Sequence, residues 1–211
     1  MAKLTLADLK DLAGRLVLCR VDYNVPLDGE HVVDDTRIAA TLPTLRTLLH
    51  QQARIVLCSH LGRPKGTPDA RFSLRPVAER LKELLEGHSV GFCPRTVGEE
   101  AEEMAARLEP GHLLLLENLR FQPGEEANND AFARQLARLG EVYVNDAFGA
   151  AHRAHASTVG VVKYFPQAAA GLLMQRELEY LGKILDAREH PFVVLLGGAK
   201  VSDKLPFLSH L

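Results

Sequence analysis

No long hydrophobic run occurs in this chain. The longest apolar stretches, such as Leu113–Leu116 and residues 192–196, are far too short to cross a bilayer. The N-terminal stretch is interrupted by Asp8, Lys10 and Asp11, so it has no signal-peptide core. Cysteine is scarce: Cys19, Cys58 and Cys93 form an odd, widely spaced set without a CxxC pair. That argues against a disulfide framework or a zinc site and makes a reducing cytoplasm the expected compartment. Neither sign of charge is in excess, with 25 Lys and Arg against 27 Asp and Glu and a net charge of −2. A nucleic-acid binder held by overall charge is thereby excluded. Gly (16) and Pro (11) show no collagen-like or low-complexity bias.

A hydrophobic fraction of 46% and a charged fraction of 25% describe a folded chain of 211 residues, enough for one domain and part of another. Short Val/Ile/Leu-rich runs at 16–21, 54–59, 90–93, 112–116, 142–145 and 192–196 alternate with longer amphipathic stretches. Continuous rather than alternating apolar runs fit parallel strands covered on both faces. Helices are expected over 36–50, after Asp34-Asp35 and with Pro43 predicting a kink or a late start, over 73–85 after a Ser73 cap, and over 99–108, 129–139 and 172–187. The expected fold is α/β: a doubly wound, Rossmann-like parallel sheet flanked by helices, followed by the beginning of a second α/β domain. Residues 1–170 would form the first domain, 171–190 an interdomain helix or hinge, and 191–211 the start of the second. One strand and one beginning helix cannot bury a core alone.

Ligands of open parallel sheets bind beyond the carboxyl ends of the strands. The first strand exits into Arg20-Val21-Asp22-Tyr23-Asn24, the second into Ser59-His60-Leu61-Gly62-Arg63, the fourth into Glu117-Asn118-Leu119-Arg120, and the fifth into Asn145-Asp146 and onward to His152-Arg153-Ala154-His155. With Arg37 at the first helix start, four arginines (Arg37, Arg63, Arg120 and Arg153) are expected to converge on one rim. Guanidinium groups bind carboxylate and phosphate in bidentate fashion, whereas Asp22 and Asn24 suit a hydroxyl, so the expected ligand is a small phosphorylated hydroxy acid. A second cluster, Gly197-Gly198-Ala199-Lys200 through Lys204, follows a strand and opens a helix, a place where backbone N–H groups meet phosphate. Its spacing is not GxxxxGK[ST], and alone it is a weak signal.

The segments RVDYNVP, SHLGRP, LLENLRF, NDAFGAAHRAHAS and LGGAKVSDK, in this order from Arg20 to Lys204, resemble phosphoglycerate kinase. The resemblance implies a two-domain enzyme of glycolysis, a phosphotransferase acting on a carboxyl group. It would exchange a phosphoryl group between 1,3-bisphosphoglycerate and MgADP to give 3-phosphoglycerate and MgATP. By the same resemblance, Asp22 and Asn24 hold the hydroxyl and carboxylate end. His60, Arg63, Arg120 and Arg153 surround the non-transferred phosphate, and Arg37 stands nearest the transferring group. Lys200 follows the phosphoryl during transfer, while Gly198, Ala199, Lys200 and Lys204 contact the nucleotide phosphates. Adenosine and Mg2+ sites are expected mostly beyond residue 211, so the 211-residue chain alone would have little or no kinase activity. A monomer without nucleic-acid or membrane partners is expected. Tyr23 and Ala150 depart from the family's usual Phe and Thr.

Duller roles stand beside these. His60 also suits a core histidine, Asp22 and Asn24 suit the turn before Pro26, and Glu117 suits a structural pair with an arginine. His152 and His155 lack a third ligand at motif spacing, so no metal site is expected. The competing reading of the whole is a non-catalytic module that holds 3-phosphoglycerate. A dinucleotide-dependent dehydrogenase is disfavoured by the lack of GxGxxG.

Overall fold

A computed structural model describes residues 4–185 together with Val193 and Leu195. The apolar runs become parallel strands. In chain order the elements are β1 (Leu16–Arg20), β2 (Leu27–Asp28), β3 (His31–Val32), α1 (Thr36–His50), β4 (Arg54–Cys58), α2 (Arg75–Leu84), β5 (Val90–Cys93), α3 (Glu99–Ala106), β6 (Leu113–Leu116), α4 (Pro123–Glu126), α5 (Asp130–Ala137), β7 (Val142–Asn145), β8 (Ala168–Ala170) and α6 (Leu172–Leu185). Six strands form one sheet in the order β5-β6-β4-β1-β7-β8, every pair parallel. The winding runs outward from β1 through β4 to the β5 edge, then returns and crosses to β7 and β8. Its reversal falls beside β1, where a doubly wound sheet opens its crevice.

Period-2 alternation distributes the strand side chains between two cores. Val17, Cys19, Ile55, Leu57, Leu113, Leu115, Val142 and Val144 face one core with Ile38, Leu45 and Leu48 of α1 and Val77 and Leu81 of α2. Leu18, Val56, Cys58, Leu114, Leu116 and Tyr143 face the other, with Ala101 and Ala105 of α3 and Phe132 and Leu136 of α5. All three thiols are buried and free. Burial pushes the Cys58 thiol up to about 12 and raises Cys19 and Cys93 as well, which leaves them without thiolate character.

Helix α1 begins at Thr36 and continues through Pro43 to His50, so the late start expected from the proline does not occur. A mid-helix proline costs about 3 kcal/mol. Ile38, Leu45, Leu48 and Leu49 are buried on the same helix, each contributing about 2 kcal/mol, and their packing outweighs that cost. Helix α2 begins at Arg75, later than Ser73, yet Ser73 still serves its entry because its Oγ accepts from the Arg75 N–H at 3.2 Å. Asn129 caps α5 by accepting from the Phe132 N–H at 3.0 Å.

Two elements escaped the periodicity. The β2–β3 hairpin turns on Gly29 and Glu30, with Gly29 at φ +56°, but its two-residue strands are too short to alternate. Strand β8 consists of three alanines, poor strand formers, which pair with β7 through Tyr143↔Ala168 to Asn145↔Ala170.

The chain divides into two compact units, Met1–Met174 and Gln175–Leu211. Helix α6 starts in the first, where a side chain of α1 and one from the exit of β7 hold its free N–H groups. The Leu172 N–H donates to Thr44 Oγ1 at 2.9 Å and the Met174 N–H to Asp146 Oδ1 at 3.1 Å. The strand expected at 192–196 and the helix expected from Ser202 lie outside the described residues, apart from Val193 and Leu195.

Candidate anion-binding site

Parallel register places the four exits on one edge of the sheet. Arg20 pairs with Cys58 on one side and with Asn145 on the other, so Asp22 and His60 each stand two residues beyond the last paired level. The Val21 N–H donates to the Cys58 carbonyl at 3.1 Å and the Tyr23 N–H to Ser59 Oγ at 2.8 Å, which laces the first two exits together.

At the open side of the rim, Arg37 Nη1 meets Asp22 Oδ2 at 2.9 Å, with the arginine side chain 53% exposed and the aspartate 14%. An ion pair this open is worth about 1 kcal/mol or less, so little energy holds the guanidinium on Asp22. Asp22 Oδ1 accepts from the Asn24 N–H at 3.2 Å, and Asn24 Oδ1 accepts from the Gly62 N–H at 2.9 Å. Both residues thus shape the turn, as their types suggest, and both stand at the rim. Gly149, beyond β7, approaches so closely that a Cβ there would lie 2.7 Å from Asp22 Oδ2.

Deeper in, Arg120 Nη1 donates to the Gly62 carbonyl at 2.7 Å, and its Nε lies 3.2 Å from Glu126 Oε1 in an ion pair without hydrogen-bond geometry. Burial lowers the Arg120 pKa against the opposing pull of Glu126, and the neighbouring charges of Arg153 and Arg20 lower it further. His60 is buried, with Nδ1 facing Arg20 Nη2 at 3.1 Å and Asp22 Oδ1 at 3.9 Å. Burial, followed by the charges of Arg20, Arg120, Arg153 and His155, takes its pKa down to about 2. The ring is neutral, and because guanidinium can only donate, Nδ1 accepts and Nε2 carries the proton.

Of the residues expected from sequence, Asp22, Asn24, Arg37, His60, Arg120 and Arg153 are brought to one rim. Arg153 is half-buried, its Nε donating to His152 Nε2 at 3.2 Å. Arg63 sits on the same loop as His60, exposed and without a hydrogen bond or ion pair to any described residue. His152 and His155 diverge: the first is exposed against Arg153, and the second lies 3.8 Å from Glu125 Oε1. Glu117 is structural, but not through an arginine. It accepts from Ser73 Oγ, the Leu74 N–H and the Asn118 N–H at 2.7, 2.8 and 2.7 Å. Gly198, Ala199, Lys200 and Lys204 lie outside the described residues.

Three residues beneath the rim were not anticipated. Arg20 is fully buried, donating Nε to Ser157 Oγ at 2.9 Å and Nη1 to the Val21 carbonyl. Ser157 in turn donates its hydroxyl to Glu125 Oε1 at 2.6 Å and its N–H to Glu125 Oε2 at 3.0 Å. The available signal was Arg20 itself, a charge ending a run otherwise covered on both faces, which must find partners when buried. Tyr23 also finds one. Its hydroxyl is buried against Thr41 Oγ1 at 2.9 Å, which accommodates the departure from phenylalanine.

A doubly wound α/β sheet with a guanidinium-rich rim at its switch point is a class of arrangement chemically suited to small phosphorylated or carboxylated anions. Comparison narrows that class. The family model for phosphoglycerate kinase matches residues 6–211, and the chain belongs to the phosphoglycerate kinase family. It is 55% identical to a phosphoglycerate kinase of Koribacter versatilis, over 100% of this chain and 54% of that protein. It is 58% identical to one of Moorella thermoacetica, over 100% of this chain and 53% of that protein. The phosphoglycerate kinase structure from Coxiella burnetii superposes with a TM-score of 0.85 at 37% identity, covering 99% of this chain and 51% of that one. The Pyrococcus horikoshii structure gives 0.86 at 33%, covering 96% and 50%. The chain spans about half the length of the curated relatives it matches.

Proposed function

We propose that residues 4–174 are the 3-phosphoglycerate-binding half of a phosphoglycerate kinase. The whole protein would transfer a phosphoryl group reversibly between 1,3-bisphosphoglycerate and ADP. The observation that carries this reading is the convergence of Arg37, His60, Arg120 and Arg153 with Asp22 and Asn24 at one end of the sheet. Three cationic groups and a neutral imidazole donor match a triply charged phosphoglycerate, and the single carboxylate suits its hydroxyl. Asp22 holds Arg37 at the mouth until an anion competes for it. Arg120 and His60, fixed by protein partners, offer a floor that needs no reorganisation, which is how phosphoryl transfer is assisted where positioning and charge stabilisation do the chemistry.

Helix α6 would join this half to a nucleotide-binding half, with residues 171–190 as the hinge and 191–211 opening the second domain. Lys200 would accompany the phosphoryl group, with Gly198, Ala199 and Lys204 on the phosphates of the nucleotide. ATP or ADP with Mg2+ supplies the phosphoryl donor or acceptor when bound. The expected setting is a cytoplasmic monomer in glycolysis. Among the described residues no helix is long and apolar enough to cross a membrane.

Calorimetric titration with 3-phosphoglycerate tests the reading, with an Arg63→Ala/Arg153→Ala variant beside the wild type. Saturable binding that disappears in the variant is expected. A folded protein that binds nothing, or a variant that binds equally well, overturns the assignment.

A further inference from the structure

Helix α4 brings two consecutive carboxylates under a cluster of cations. Glu126 faces Arg120, while Glu125 is fully buried beside Ser157. Glu125 takes both donors of Ser157, the N–H at 3.0 Å and the hydroxyl at 2.6 Å, and its backbone carbonyl accepts from the Ala156 N–H at 2.9 Å. With its proton committed to Glu125, the Ser157 hydroxyl has only lone pairs to offer Arg20, whose Nε it accepts at 2.9 Å. Arg20 in turn reaches His60 Nδ1 at 3.1 Å. A buried charge without compensation costs several kcal/mol. Arg20 meets no carboxylate directly among the described residues, so Glu125 compensates it through one hydroxyl.

We propose that Glu125 is a positioning residue of the anion site: through Ser157 it locks the Arg20 guanidinium against His60 and so holds that ring in the single tautomer that presents an Nε2 proton to the ligand. The proposal rests on the phosphoglycerate reading for the identity of the ligand, and on the hydrogen-bond chain alone for the tautomer. Polarity runs one way along the chain: Glu125 accepts, Ser157 donates to it and accepts from Arg20, and Arg20 donates to His60. Loss of a link leaves the guanidinium held by Nη1 on the Val21 carbonyl but no longer fixed at Nε, so Nη2 can swing off Nδ1 and that atom can take the ring proton. The charged or titratable groups facing His60 are Arg20, Asp22, Arg120, Arg153 and His155. None of them but Arg20 bonds to Nδ1.

The test uses Ser157→Ala and Glu125→Gln in the full chain. Nitrogen–proton correlation spectra of the histidine rings, between about pH 5 and 8, read the tautomer of His60 without any ligand. In the wild type one Nε2–H form that does not titrate is expected, and in both variants a mixture of the two tautomers. Titration with 3-phosphoglycerate is expected to weaken by about tenfold in each, the scale of one charge-assisted hydrogen bond. Ser157→Ala removes a single oxygen and decides the matter if Glu125→Gln does not fold. A folded Ser157→Ala protein with the wild-type tautomer overturns the proposal, as does a mixed tautomer with unchanged affinity. Wild type that shows one tautomer but binds no 3-phosphoglycerate overturns the ligand reading, and the variant spectra still judge the positioning role.

Discussion

The rim has two halves built on opposite principles. Below, Arg20, His60, Ser157 and Glu125 are buried and bonded to one another, and nearly every donor is committed before a ligand arrives. Above, Arg37 is held by one open ion pair, and Arg63 is exposed without a partner among the described residues. Each half does what the other cannot. Bonds made during folding give the floor a fixed geometry and stabilise the fold, whereas uncommitted guanidinium groups would keep their hydrogen bonds for the proposed anion and add little to stability.

The comparison breaks first at Arg20. Arg20→Leu leaves Glu125 as a buried charge without its cationic counterpart, and a loss of at least about 3 kcal/mol in urea unfolding is expected. A smaller loss would mean that the floor is not a committed network. Acidity probes the same half more gently. In the fold, burial and then the surrounding arginines take His60 from its ordinary 6.5 down to about 2. Below about pH 6.5 the unfolded chain therefore binds a proton that the folded chain refuses. The contribution is complete above that pH and declines by about 1.4 kcal/mol per unit as pH falls toward 2, or about 2 kcal/mol between 6.5 and 5. Stability measured across that interval should flatten in His60→Gln, and an unchanged slope would assign the loss to other groups. The smallest effect on folding belongs to the upper half. Arg63→Ala should change stability by no more than about 0.5 kcal/mol while weakening 3-phosphoglycerate binding about tenfold, which calorimetry and thermal melting separate. If stability fell with affinity, Arg63 would belong to the floor.

This division also explains what the sequence made legible. Strands β1, β4, β6 and β7 announce themselves as apolar runs covered on both faces, and each exit is rich in polar residues, so the rim residues are readable in one dimension. Strand β8 is not readable, because three alanines have no periodicity to show. The floor is not readable either. Arg20 and Ser157 meet across 137 residues of sequence, and only the fold reveals that a glutamate in Pro123-Gly124-Glu125-Glu126 is the one turned inward. Pro43 misled in the opposite sense, since local propensity yielded there to the packing of four buried neighbours on α1.

The alanine strand at the end of the sheet has a further consequence. Its outer side is not open: the Ala170 N–H donates to the Leu4 carbonyl at 2.8 Å, and Thr5 forms a parallel bridge to the same residue. An uncovered sheet border is a template on which another chain can assemble, and proteins guard such borders. Here the guard is a few residues from the start of the sequence, pinned beneath Leu6, Leu9 and Leu12 in the first core. Protection of this border against self-association is thus entrusted to Leu4 and Thr5, and any alteration there bears on solubility before it bears on binding.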